Sequence, residues 1–146
     1  MKVETIAPHN VEALARLFVE LWEDCDFEKE LVYCKNMLHD TRKMCYLVKH
    51  DEQYIAFAYL SLRSEYVEGT ASSPVVYLEG IYVQPAYQQQ GIGRQLVALG
   101  AAWGKEMGCS EYASDTDTLN EQSIQFHKQL GFQEVERVVC FVKRIE

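Results

Sequence analysis

"QQQGIGRQL", Gln88 to Leu96, decides the reading of this chain. It starts five residues after the near-continuous apolar run Val75–Val83 and continues into a helical pattern. Two glycines, Gly91 and Gly93, let the backbone approach a ligand closely. The first-turn N–H groups of a helix have no partners within the helix, and the positive end of its dipole adds to them. Such a terminus holds an anion, phosphate above all, even on a protein of net negative charge. Many ordinary flexible loops are also Gly-rich, so spacing has to discriminate. A dinucleotide fingerprint needs a third glycine where Leu96 stands, and a Walker loop needs a Gly-Lys-Ser/Thr that is missing.

Working outward from this stretch, Lys2 to Ile6 is a short strand candidate ended by Pro8. Val11, Leu14, Ala15, Phe18, Leu21 and Trp22 then follow a helical period with one apolar face. A second helix covers Glu28 to Leu38. Strand patterns follow at Met44–Lys49 and Tyr54–Tyr66, joined by a polar turn, and at Val75–Val83, closed by Pro85. Beyond the quoted loop the pattern gives a helix from Gly91 to about Met107 and a strand at Glu111–Ser114. A helix at Asn120–Leu130, stopped by Gly131, and a last strand at Glu134–Lys143 complete it. The expected order is βααβββαβαβ, with no repeat and no linker.

At 146 residues with 48% hydrophobic side chains, the chain can bury a core as one domain, residues 1–146, without staples. No stretch approaches the roughly 20 apolar residues that span a bilayer, and no signal-like region opens the sequence, so a soluble, cytoplasmic protein is expected. Five scattered cysteines (Cys25, Cys34, Cys45, Cys109, Cys140) lack C-x-x-C spacing and a histidine pair. They read as reduced, mostly buried thiols rather than as a metal site or a disulfide framework. Fourteen basic against 22 acidic residues give a net charge of −8, which argues against nucleic acid and suits a cationic small molecule.

Gln88-Gln89-Gln90-Gly91-Ile92-Gly93 resembles the acyl-CoA signature Gln/Arg-x-x-Gly-x-Gly/Ala of the GCN5-related N-acetyltransferase (GNAT) superfamily. The element order agrees over essentially the whole chain, as does Asn120 followed by Leu130-Gly131-Phe132. The resemblance implies a mixed α/β acyl-CoA N-acyltransferase fold: a central, mostly antiparallel sheet with splayed strands and flanking helices. It implies acetyl-CoA as co-substrate and no metal. Many relatives carry arginines where this loop carries glutamines, which leaves Arg94 as the nearby cation. Diphosphate binding then leans on neutral main-chain donors.

In that family the strand before the loop splays at a bulge and the pantetheine arm lies in the opening. Gly80 in "YLEGIYV" is the bulge position expected here, with Ile81, Tyr82 and Val83 presenting free backbone groups. An N–H near Val83 can polarise the thioester carbonyl. Glu79 is the first candidate to take the proton of an attacking amine and Asp115 the second, although each also reads as a turn-capping or solvated carboxylate. Relatives commonly place a tyrosine four residues before the Gly-Phe of the late motif to serve the leaving thiolate. His127 stands there in this chain, so the general acid stays open.

A closer resemblance is to the aminoglycoside 6'-N-acetyltransferases of the superfamily, carried by "SEYVEGT" (Ser64–Thr70), "YLEGIYV" (Tyr77–Val83) and "ASDT" (Ala113–Thr116). It implies Trp22, Tyr66, Glu79, Asp115 and Glu136 around a polycationic aminoglycoside, and Asn120 toward the coenzyme. Carboxylates supply attraction to such an acceptor and aromatic rings supply sugar-facing surface. Trp22 also fits core packing, and Glu136 an exposed edge charge. A homodimer in which the last strand reaches a neighbour's site is common among relatives. The loop chemistry is indifferent to the acceptor, so a polyamine or a protein amine stays open, as does a coenzyme- or drug-binding module without turnover.

Overall fold

The computed structural model describes residues 1–146. Five strands form one sheet in the order β1 (Lys2–Thr5), β2 (Lys43–His50), β3 (Gln53–Arg63), β4 (Val75–Val83) and β5 (Tyr112–Ser114). The first four are antiparallel neighbours, and β5 joins β4 in parallel. A parallel neighbour requires a crossover, supplied by helix α3 (Ile92–Glu106). Helices α1 (Val11–Leu21) and α2 (Phe27–Met37) cover one face of the sheet. α3 covers the other, joined by α4 (Glu121–Gln129) through Phe126 and Leu130. No helix is long and apolar enough to cross a membrane.

Two buried clusters follow from this layering. Leu14, Leu17 and Phe18 of α1 pack on Leu47 and Phe57, and Leu96 and Trp103 of α3 pack on Leu60, Val76 and Leu78. α3 lies close on β4, since a Cβ at Gly104 would sit inside the Val76 side chain. Asn10, fully buried, joins β1 to α1. Its Oδ1 accepts from the Ala7 N–H at 2.8 Å, and its Nδ2 donates to the Thr5 carbonyl at 3.0 Å and to Glu4 at 3.1 Å.

β4 matches its sequence reading, while β3 stops at Arg63, three residues before the expected end at Tyr66. A single 3-10 turn, Pro85–Tyr87, separates β4 from the loop. The expected strand Glu134–Lys143 does not form. Residues 133–146 are irregular and exposed, and no strand of the sheet offers them a neighbour. Of the cysteines, which are all free, only Cys34 and Cys45 are buried. Cys140 is exposed, because the strand expected to shelter it is absent.

Candidate active site

The decisive local feature of β4 is a break in its register with β3. Tyr59 pairs with Gly80 and Leu60 with Leu78, so Glu79 has no partner and is the extra residue of a bulge. The faces confirm this: Val76 and Leu78 point to the α3 side, and so do Ile81 and Val83, a change of parity that needs two successive residues between them. The bulge expected at Gly80 thus includes Glu79, and it turns that carboxylate onto the α1 face beside Ser61 and Arg63.

Pairing of β4 with β5 ends at Leu78–Ser114, so Glu79 to Val83 have an open edge. Because the Gln84 N–H bonds to the Ile55 carbonyl, alternation directs the backbone of Tyr82 toward β3 as well. The groups of Ile81 and Val83 face the opening. The Val83 carbonyl is taken by the Gln88 side-chain amide at 2.9 Å.

At the far end of the loop, Gly91 is left-handed (φ +83°) and caps α3. The first backbone bond of the helix runs from Gln95 N–H to Gly91 O at 3.0 Å, and the amides of Gln89 to Arg94 donate to no protein acceptor. These unpartnered donors at a dipole's positive end fit a diphosphate. Bulge, open edge and loop share one cleft of about 850 Å³. Its wall includes Trp22, Glu79, Gly80, Ile81, Tyr82, Val83, Gln88, Gln89, Gly91, Ile92, Gly93, Arg94, Asp115 and Asn120. Gln90 lies in the loop but not in the wall. Tyr66 is 74% exposed and borders a separate hollow with Arg63, Ser64 and Glu65. Glu136 lies on the irregular tail, where its carboxylate accepts from the Arg137 N–H.

Opposite the loop the cleft is acidic. The Arg63 Nε and Nη2 donate to the two oxygens of Glu79 at 2.9 and 2.7 Å, and the Ser61 hydroxyl donates to Oε2. The Arg63 guanidinium also stacks 3.4 Å above the centre of the Tyr77 ring, whose hydroxyl donates to Asp115. The bonds to Glu79 raise the guanidinium above its ordinary value. Burial, followed by the bond to Asp115, pushes the Tyr77 phenol well up and keeps it a donor. Trp22 forms the wall over Gly80: a Cβ there would lie 2.6 Å from the indole Cη2.

His127 also lines the cleft, on α4. Its Nδ1 lies 2.7 Å from the Ser123 carbonyl, which only accepts, so Nδ1 carries a hydrogen. Its Nε2 meets the Ser114 hydroxyl at 2.8 Å. Sequence reasoning singled out His127 but missed Ser114, Ser61 and Arg63. Ser114 lies within Ala113–Thr116 without being singled out there, whereas Ser61 and Arg63 lie in no motif and only strand register brings them to the site.

The model of the acetyltransferase (GNAT) family matches residues 8–132. This chain belongs to the GNAT acetyltransferase family. It is 46% identical over 126 residues to an aminoglycoside N(6')-acetyltransferase type 1 of Acinetobacter genomosp. 13, covering 86% of each chain. To the protein of the same name from Salmonella enteritidis it is 37% identical, covering 99% of each. The solved structure of AAC(6')-Iy in complex with the bisubstrate analogue CoA-S-monomethyl-acetylneamine matches this GNAT chain with a TM-score of 0.93 at 36% identity, over 99% of this chain and 98% of that one. The open edge and the loop make one half of the cleft, and the Glu79–Asp115 wall makes the other.

Proposed function

We propose that this acetyltransferase carries the acetyl group of acetyl-CoA directly to the 6'-amine of aminoglycoside antibiotics, the chemistry that confers resistance to them. One observation carries the reading: a single cleft joins unpartnered main-chain donors to a wall of carboxylates and an indole. The first suits an anionic coenzyme and the second a rigid polycation. The relatives that match nearly full length are named for this activity.

The thioester of acetyl-CoA supplies an activated acetyl group. The amides of Gln89 to Arg94 seat the diphosphate, with Asn120 beside it, and the open edge at Ile81 and Val83 holds the pantetheine arm. A main-chain N–H of that edge polarises the thioester carbonyl. Glu79 and Asp115 receive the cationic amine, fix its direction, and take its proton directly or through a water. Trp22 gives the sugar ring a flat apolar wall. His127 and the Ser114 hydroxyl, 2.8 Å from its Nε2, form the proton route we assign to the departing thiolate.

The partner we propose is a second copy of the chain. Val138, Val139, Phe141, Val142 and Ile145 are each at least 70% exposed on an irregular segment without a neighbour, a pattern that invites pairing with another strand. Such pairing would carry Tyr66, Glu136 or both toward an acceptor cleft. The reaction belongs in the cytoplasm, where acetyl-CoA is made, and one domain spanning 1–146 performs it.

Mixing the protein with acetyl-CoA, a thiol reagent and kanamycin or tobramycin tests the activity. Thiol release is expected with 6'-amino drugs and not with 6'-hydroxyl analogues. Faster release with a polyamine or a peptide amine would overturn the choice of acceptor. Light scattering tests the partner: the full chain runs as a dimer, and deletion of residues 134–146 returns a monomer.

A further inference from the structure

Glu79 cannot meet a substrate amine as a free carboxylate. A carboxylate offers about four acceptor positions. Two on Oε2 go to Ser61 and the Arg63 Nε, and one on Oε1 goes to Arg63 Nη2. One position on Oε1 is left. Arg63 itself lies outside the cleft wall, in the neighbouring hollow with Tyr66, and its direct bonds into the cleft go to Glu79. The Tyr77 ring beneath the guanidinium fixes its plane, and through the Tyr77 hydroxyl the same stack reaches Asp115.

We propose that Arg63 is a positioning residue of the acceptor site: its guanidinium, gripped between Glu79 and the Tyr77 ring, turns the last free lone pair of Glu79 toward the incoming amine. The fork geometry matters as much as the charge. Lysine keeps the cation but neither the two parallel N–H bonds nor the flat stack. Because Arg63 already balances Glu79, removing it exposes an uncompensated anion to the acceptor. Binding of a polycation should then hold or improve while its amine is aimed badly, a separation that lost folding does not produce.

This proposal rests on the aminoglycoside reading above, so turnover of kanamycin by the unaltered enzyme is measured first and tests that reading by itself. If another amine is the better acceptor, the comparison is made with that amine. Arg63→Met is expected to lower kcat at least tenfold with acceptor KM unchanged or reduced, and with the melting temperature and the Kd for CoA near wild type. Arg63→Lys should fall between. In a Glu79→Gln background, Arg63→Met should add less than twofold. A rise in KM at unchanged kcat, full activity of Arg63→Lys, or a full tenfold loss on top of Glu79→Gln would each overturn the proposal. If Arg63→Met fails to fold, Arg63→Lys decides between the same outcomes. No turnover of any amine by the unaltered enzyme would sink both readings.

Discussion

Replacing Gly80 by alanine is expected to damage the acceptor site through one methyl group. The added carbon would lie 2.6 Å from Trp22 Cη2 and 2.8 Å from Cζ2. Carbon atoms rest at about 3.5–4.0 Å, so the indole has to retreat by about 1 Å. It is braced edge-on by Phe18, with ring centres 5.1 Å apart, and tilted against Phe57 at 6.0 Å, so retreat disturbs the aromatic cluster behind it. Gly80 has an ordinary negative φ, so alanine adds no backbone strain and the whole cost is steric. Overpacking of this kind costs about 1–3 kcal/mol. At about 2–4 °C per kcal/mol for a chain of this size, the melting temperature should drop by about 2–12 °C. Tilting the wall should raise acceptor KM about tenfold, equivalent to about 1.4 kcal/mol, while the Kd for CoA stays put because the amides of the loop are untouched. Fluorescence isolates the event. The chain has two tryptophans, and Trp103 is buried in the other cluster, so a changed emission spectrum reports Trp22. Wild-type melting and wild-type KM in Gly80→Ala would refute the reasoning. So would an undiminished penalty in a Trp22→Ala protein, where nothing remains to collide.

Other outcomes follow from the same structure. Asn10→Ala strands the half-buried Ala7 N–H, while the exposed Thr5 carbonyl can turn to water, and denaturant melts should show a loss of about 1–2 kcal/mol. The bonds from Tyr54 and Asn10 hold the Glu4 carboxyl at about 2, below its ordinary 4.5. A depressed carboxyl stabilises the fold above its unfolded value and loses that effect as pH falls. Stability should therefore decline from about pH 4.5 toward 2, and Glu4→Gln should flatten that limb in acid titrations followed by circular dichroism. Raising salt from 0.05 to 0.5 M should weaken CoA binding by less than about threefold in calorimetry, because Arg94 is the one cationic side chain in the cleft wall. His127→Ala should lower kcat about ten- to a hundredfold with the Kd for CoA unchanged; stopped-flow rates measure it.

The loop half of the cleft was legible in the sequence because its geometry is local. Gly91 and Gly93, the Gln88–Arg94 loop and the helix start lie within a few residues, and β4 announced itself as an apolar run bounded by Pro74 and Pro85. The acidic wall was legible only in part. Glu79 and Asp115 were visible as carboxylates, but the Arg63–Glu79 grip spans 16 residues and depends on a one-residue slip between β3 and β4. Gly80 marks the slip in the sequence, but nothing there says which residues of β3 it brings beside Glu79. The C-terminal segment shows the opposite failure: Val138 to Val142 carry strand-forming side chains, yet a strand also needs a neighbour, which the sequence pattern does not supply.

The unpaired amides that open α3 belong to the main chain, and this has a consequence for escape from inhibition. A compound anchored on side chains can be evaded by exchanging one of them. An anionic compound anchored on the N–H groups of residues 89–94 meets contacts that every amino acid except proline reproduces. Proline within that stretch would also remove the donors proposed to hold acetyl-CoA, so escape by this route would cost the proposed activity as well.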